Sequence, residues 1–370
     1  MWPNRIAINE EAPMDSSSNS NMDASTDQVS ESSRVTIADV AREAGVSKGL
    51  VSFALNDRPG VSAETRTRIL QVAGALGWTP SLRARSLSSK RSFALGLVIA
   101  RDPEVLGSDP FFTSFIAGVE TILAPEGLAL VLSVVPDSST ELATYRTLVS
   151  DGRVDGVFVS DLRQDDVRIP CLAELGLPAV TLGRPDQPSP FPAVSIDDTE
   201  GIRESVRHLV ALGHRRIAHV AGSAAMLHGN RRRDAFTAAM RDAGLGDGQV
   251  VDTDFSIAAG ADATRRLLRQ SEPPTAIVFA NDPMAIAGIG VAQELGVRVP
   301  DDVSITGFDD IEFARYVYPA LTTVGATPMV WGRAAATTLL TLIRTGHADD
   351  VELPAARLII RGSAAIPAER

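Results

Sequence analysis

From Phe93 onward the chain alternates short apolar runs with stretches of helical period, and this rhythm restricts its fold more than any other feature. The first runs are "FALGLVIA", "LALVLSVV", "GVFVS" and "PAVTLG". A second series follows with "AVSID", "RIAHVAG", "PTAIVFAND" and "SITGFDD". Helical spans separate them near 112–124 and 140–150, then near 200–212, 232–243, 261–269, 283–295 and 329–344. Strands alternating with helices build parallel, doubly wound sheets covered on both faces. At 370 residues the chain is too long for one ordinary domain, and two series predict two such sheets with a cleft between them.

Ahead of that region lies a stretch of different character. In "TIADVAREAGVSKGLVSFALN", Thr36 caps a helix over 37–44 that buries Ile37, Val40, Ala41 and Ala44. Gly45 permits a sharp turn, and Ser47 caps a second helix over 48–55 that buries Val51, Ala54 and Leu55. After the turn "NDRPG", Ser62 opens a third helix over 63–76, which Gly77 stops. The pattern is a helix-turn-helix unit. Residues 34–92 hold ten arginines and lysines against four acids, a surplus of +6 inside a chain of net charge -11. A basic module on an acidic body is the asymmetry of a protein whose one part touches a polyanion. Residues 1–33 are acidic and Ser/Asn/Asp-rich, which predicts a disordered tail. The basic "SLRARSLSSKRS" is too short to hold a helix alone and reads as a linker that orders on contact.

Other classes fit poorly. One cysteine, Cys171, allows no internal disulfide and suits a reducing compartment. No apolar run has membrane-spanning length, and the first residues lack a secretory pattern. There is no Gly-rich phosphate loop, no GxSxG elbow and no metal-ligand spacing among His208, His214, His219, His228 and His347. The expectation is therefore no enzyme, no cofactor and no metal.

The segments "VTIADVAREAGVSKGLVSFALNDRPGVSAETRTRILQVAGALGWTPS", "DPFFTSFIAGVE", "VSIDDTEGIRESVRHLVALGHRRIAHVAG" and "FANDPMAIAGIGVAQELGVRVPDDVSITGFDD" together resemble the lactose/galactose-repressor (LacI/GalR) family. The likeness runs in order from about 35 to 365. It implies an all-α helix-turn-helix headpiece, a hinge, and a two-lobed periplasmic-binding-protein-like core that dimerises and senses a small molecule. On this reading the tail is 1–33, the headpiece 34–80 and the hinge 81–91. One lobe is 92–193 with 326–353, and the other is 194–325 with 354–370.

The second helix of such a headpiece enters the major groove. Ser47, Lys48, Gly49, Ser52, Phe53 and Asn56 are candidate DNA contacts there, with Thr36 a candidate at the start of the first helix and Ser62 and Thr65 at the third. Lys48 can donate to guanine, whereas Ser52, Asn56, Ser62 and Thr65 suit phosphates. Phe53 stands where the family usually carries a polar base reader. It either meets a thymine methyl or tucks against the third helix. In the family hinge a leucine wedges into the minor groove; Leu87 matches it, with Ala84 beside it and Arg83 and Arg85 near phosphates. The alternative is that Leu87 packs on the core.

The resemblance places Phe111, Phe112, Asp161, Arg232, Phe255 and Asp282 in an effector pocket. Arg232 would grip polar groups bidentately, with Arg231 or Arg233 the alternative that the spacing to Ala235 and Phe236 disfavours, and Asp282 would accept from vicinal hydroxyls or amines at a strand's carboxyl end. One of Phe111 and Phe112 is expected to be core, and Asp282 has a second reading as a helix-capping acid. The expected partners are an operator in double-stranded DNA, a sugar, and a second copy of the chain, with a tetramer the open alternative. The expected location is the cytoplasm, at the nucleoid. A nucleoside or base effector, and a transport-type sugar-binding protein, are the competing readings.

Overall fold

The computed structural model describes residues 35–55, 58–78 and 91–368. The tail 1–33, Asn56, and the hinge residues Arg83, Ala84 and Leu87 lie outside the described residues. The chain divides into two units, Met1–Ser81 and Leu82–Arg370.

In the first unit three helices close on a small core. Helix α1 (Ile37–Glu43) begins where the Thr36 N–H and hydroxyl both donate to Asp39 Oδ2, at 3.0 and 2.7 Å. Gly45 turns the chain at φ +66°. Helix α2 (Lys48–Leu55) starts with Leu50 N–H donating to Ser47 Oγ at 3.2 Å. Helix α3 (Ala63–Ala75) starts with Thr65 N–H donating to Ser62 Oγ, also at 3.2 Å. Both hydroxyls satisfy donors that a helix start leaves open. Val40, Ala41, Ala44, Val51, Ala54, Ile69 and Ala73 are buried together.

The second unit carries two sheets of six strands. In the first, strands β1 (Ala94–Ala100), β2 (Ala129–Val135), β3 (Gly156–Val159), β4 (Ala179–Leu182) and β5 (Ala193–Ile196) are joined by a late strand, β11 (Val351–Leu353). Their order is β11-β5-β4-β3-β1-β2, all parallel. Helices α4 (Pro103–Gly107), α5 (Pro110–Leu123), α6 (Ser138–Ser150) and α7 (Arg168–Glu174) connect them. The second sheet contains β6 (Ile217–Val220), β7 (Gln249–Val251), β8 (Ala276–Phe279), β9 (Ser304–Phe308), β10 (Thr322–Gly325) and β12 (Arg357–Ile359), in the order β12-β10-β9-β8-β6-β7. Among the described strands of this sheet only β12 runs antiparallel to its neighbour. Its helices are α8 (Thr199–Ala211), α9 (Leu227–Asp242), α10 (Ile257–Leu268) and α11 (Asp282–Glu294). Helix α12 (Pro328–Thr345) returns to the first sheet.

Glycine fixes how closely α5 and α12 pack. A Cβ on Gly118 would stand 2.1 Å from the Met329 carbonyl oxygen, and one on Gly332 would stand 2.2 Å from that of Phe115. Two facing glycines let the helix backbones touch, as no larger residue could.

One boundary differs from the sequence reading. The run "AVSID" belongs to the first sheet, where β5 pairs with β4 and β11 and Val194 joins the same apolar cluster as Leu182. The chain therefore crosses to the second lobe after Ile196 rather than at 194. It crosses back between β10 and α12, and again between β11 and β12.

Candidate ligand cleft and nucleic-acid interface

On the headpiece the apolar stripe of α2 is turned inward, and this fixes what its other side offers. Val51 and Ala54 are buried, whereas Ser47, Lys48 and Gly49 are exposed and Ser52 is half-buried. Thr36 and Ser62 are exposed, and Thr65 is half-buried with its hydroxyl oxygen accepting from Ser62 Oγ at 2.9 Å. Phe53 is 41% exposed, so it does not tuck into the core, and the Arg58 guanidinium stands 5.8 Å from its ring centre.

In the core unit both sheets point their carboxyl ends at one cleft, which encloses about 770 Å³ of space with its mouth included. Arg101 follows β1 and is pinned from two sides. Its Nε and Nη2 donate to the two Asp161 oxygens at 2.6 and 2.7 Å, and its Nη1 donates to Asp109 Oδ2 at 2.9 Å. Burial alone would raise the Asp161 carboxyl, but Arg101 outweighs it and holds that group below the usual carboxylate range. Asp109 is less favoured, and burial lifts its carboxyl above that range.

Of the two phenylalanines, Phe111 reaches the cleft, packing edge-on to Trp331 at 5.8 Å. Phe112 is 3% exposed, belongs to the core of the first lobe and lies beneath Arg101. Across the cleft Phe255, at φ +70°, stacks on His228 at 5.1 Å between ring centres. Its ring presses so closely on Gly222 that a Cβ there would fall 1.8 Å from it. Burial, with the Arg232 charge behind it, pushes His228 down to about 3, so its imidazole is neutral.

Arg232 is buried on α9. It donates from Nε to Asp198 Oδ2 at 3.0 Å and from Nη1 to the Ala280 carbonyl at 2.7 Å, and its guanidinium lies 3.6 Å above the Phe308 ring. Arg231 also lines the cleft, while Arg233 turns away to Asn230 and Asp252. The lobes touch beside these residues. Leu227 N–H donates to Leu162 O at 2.7 Å, and Arg231 donates to Arg184 O.

Asp282 is not brought to the lining. Its side chain is fully buried, accepting from Ile311 N–H at 2.9 Å and from the Thr323 hydroxyl, in space that only Gly307 leaves open. Burial pushes its carboxyl up to about 7. Asn281, one position earlier, caps α11 through Met284 N–H and lines the cleft instead. Capping therefore falls to Asn281, and Asp282 braces the loop after β9. Sequence reasoning missed Arg101, Asp109, Asp198, His228, Asn281 and Asp309. For Arg101, Asp198 and Asp309 a signal existed, since each directly or closely follows an apolar strand run.

Among the described residues no three His, Cys, Asp or Glu side chains gather as metal ligands, and no helix is long and apolar enough to cross a membrane.

Residues 36–81 match the sequence profile of bacterial regulatory proteins of the lacI family, and residues 206–364 match that of a periplasmic binding protein-like domain. The chain is 32% identical over 327 residues to the HTH-type transcriptional regulator CelR of Thermobifida fusca, covering 86% of this chain and 95% of that one. The solved structure of a CelR–cellobiose complex superposes with a TM-score of 0.68 at 31% identity, covering 89% of this chain and all of that one. The lac repressor dimer bound to operator and the anti-inducer ONPF gives 0.75 at 27% identity, with 90% and 99% covered. Likeness of this extent, over headpiece and body together, shows that the chain belongs to the lacI family, as a ligand-responsive DNA-binding transcriptional regulator and not an enzyme.

Proposed function

We propose that this regulator is a repressor that binds a near-palindromic operator as a homodimer and answers to a sugar held in the cleft. One observation carries the sugar reading. Aromatic rings face the cleft from both lobes, Phe111 and Trp331 from one and Phe255 from the other, between polar groups fixed in advance by Arg101–Asp161 and Arg232–Asp198. Sugars offer apolar faces for such rings and ring hydroxyls for such directional partners. The likeness to CelR, solved with cellobiose, supports the same reading. Acting on DNA, the protein works in the cytoplasm, at the nucleoid.

In this reading α2 lies in the major groove, with Lys48 at base edges, Ser47, Gly49 and Phe53 beside it, and Ser52 at a phosphate. Thr36, Asn56, Ser62 and Thr65 hold phosphates, Arg83 and Ala84 flank the groove, and Leu87 enters the minor groove. The first lobe is then 92–196 with 326–353, and the second is 197–325 with 354–370.

Fluorescence anisotropy on the protein's own upstream DNA and on a scrambled duplex, at one salt concentration, tests the DNA side. Lys48→Ala is expected to weaken operator binding about tenfold and scrambled binding far less. Equal losses on both duplexes make Lys48 a phosphate contact. On the ligand side, a melting-temperature rise with hypoxanthine and none with cellobiose, maltose, glucose or ribose would overturn the sugar reading.

A further inference from the structure

Helix α9 belongs to the second lobe, yet its first residue is seated in the first. Leu227 is 8% exposed, and its side chain joins an apolar cluster built on β3, α6 and α7, where every other buried member comes from the first lobe. Met226, at the N-cap, gives α9 no side-chain cap. The Leu227 N–H, one of the donors that a helix start leaves open, is taken instead by the Leu162 carbonyl of the other lobe at 2.7 Å. Arg163 and Met226 pair beside it as an antiparallel bridge. The receiving loop is itself pinned. Arg168, 1% exposed, donates to Asp166 at 2.8 Å, to Glu141 at 2.7 Å and to the Asp161 carbonyl at 2.9 Å. Asp166 also accepts from the Arg163 N–H at 3.0 Å. On the second lobe a Cβ on Gly229 would stand 2.5 Å from the Ser223 carbonyl oxygen, so the turn that carries Leu227 is tight too.

We infer that Leu227 is a positioning residue, a strap by which the chain itself holds its two lobes together. Parting the lobes would bring an apolar side chain into water and take from the first N–H of α9 its protein partner. Both losses fall on the open arrangement, so the chain's own groups favour the one that encloses the cleft. Leu227 directly precedes His228, and Arg231 and Arg232 follow on the same helix. Its seating therefore sets where those three side chains stand relative to Arg101 and Asp161 in the cleft wall. A ligand that bridges the lobes then meets a conformation already populated. The inference concerns the body alone and stands whichever compound the cleft takes.

Hydrogen exchange of the full chain, with no ligand added, reads the strap directly, because the acceptor that protects the Leu227 amide belongs to the other lobe. Leu227→Ala should speed exchange at that amide about tenfold or more and leave the amides of β3 within about twofold of the parent. Leu227→Met refills the socket and should restore slow exchange. Leu172→Ala opens a cavity in the same cluster from within the first lobe, and it should loosen β3 more than position 227. Exchange at position 227 that Leu227→Ala leaves within about twofold of the parent overturns the inference. Leu227→Ala loosening β3 as much as position 227 overturns it too, since Leu227 would then be one more core residue of the first lobe.

Discussion

Asp282 shows how burial and one residue of register reassign a side chain. Position 282 was legible as important, being an acid at a strand's carboxyl end, but which way it faces was not. Successive residues at a helix start point about 100° apart, and here Asn281 takes the cleft while Asp282 turns into the lobe. The consequence is a pH signature. The buried carboxyl titrates near 7 in the folded chain, against about 3.8 when exposed. Below pH 4 both states hold the proton and nothing is lost. From about pH 4 to 7 the unfolded chain releases it while the folded one does not, so stability drains by at most about 1.4 kcal/mol per pH unit. Asp282→Asn keeps the shape, accepting from Ile311 N–H and donating to Thr323, but does not titrate. Its melting temperature, relative to the parent, should rise steadily from pH 4 to 7 and level off above. A flat difference over that range would mean that Asp282 stays ionised when folded.

At the scale of elements, periodic segments were easy to read and short ones were not. The three headpiece helices and the strands β1–β4, β6, β8 and β9 stand out because apolar residues recur at the right spacing over enough positions. β11 and β12 have three residues each, too few for any period to register. The run that became β5 was visible as a strand, but its sheet was not, because partners lie far off in sequence and no local pattern names them. Phe111 and Phe112 split as the helical period demands, one into the cleft and one into the core. The α5–α12 contact gives a test at this scale. Gly332→Ala drives a methyl into the Phe115 carbonyl, and overpacking of this sort costs about 1–3 kcal/mol. Calorimetry should show the body melting earlier, with operator affinity at 20 °C unchanged as long as the protein stays folded. An unaltered melt would mean that the helices separate freely.

For the molecule as a whole, the two compact units have very different reserves. The headpiece core contains seven buried apolar residues, whereas each lobe of the body carries two apolar clusters or shares them with its neighbour. Small cores bury too little to tolerate a cavity. Ile69→Ala, which typically costs about 2–5 kcal/mol, should unfold the headpiece and abolish operator binding at 37 °C. The melting transition of the body should move by less than a degree. A matching fall in both transitions would show that they unfold as one. The order of strands has one more effect. Each sheet receives an edge strand only after Asp350, from β11 and β12, and residues 363 and 365 then bond back onto β9. A ribosome must therefore deliver nearly the whole polypeptide before either lobe can be finished. Any chain cut short upstream of Val351 would therefore carry a complete headpiece on a body in which both sheets lack an edge strand.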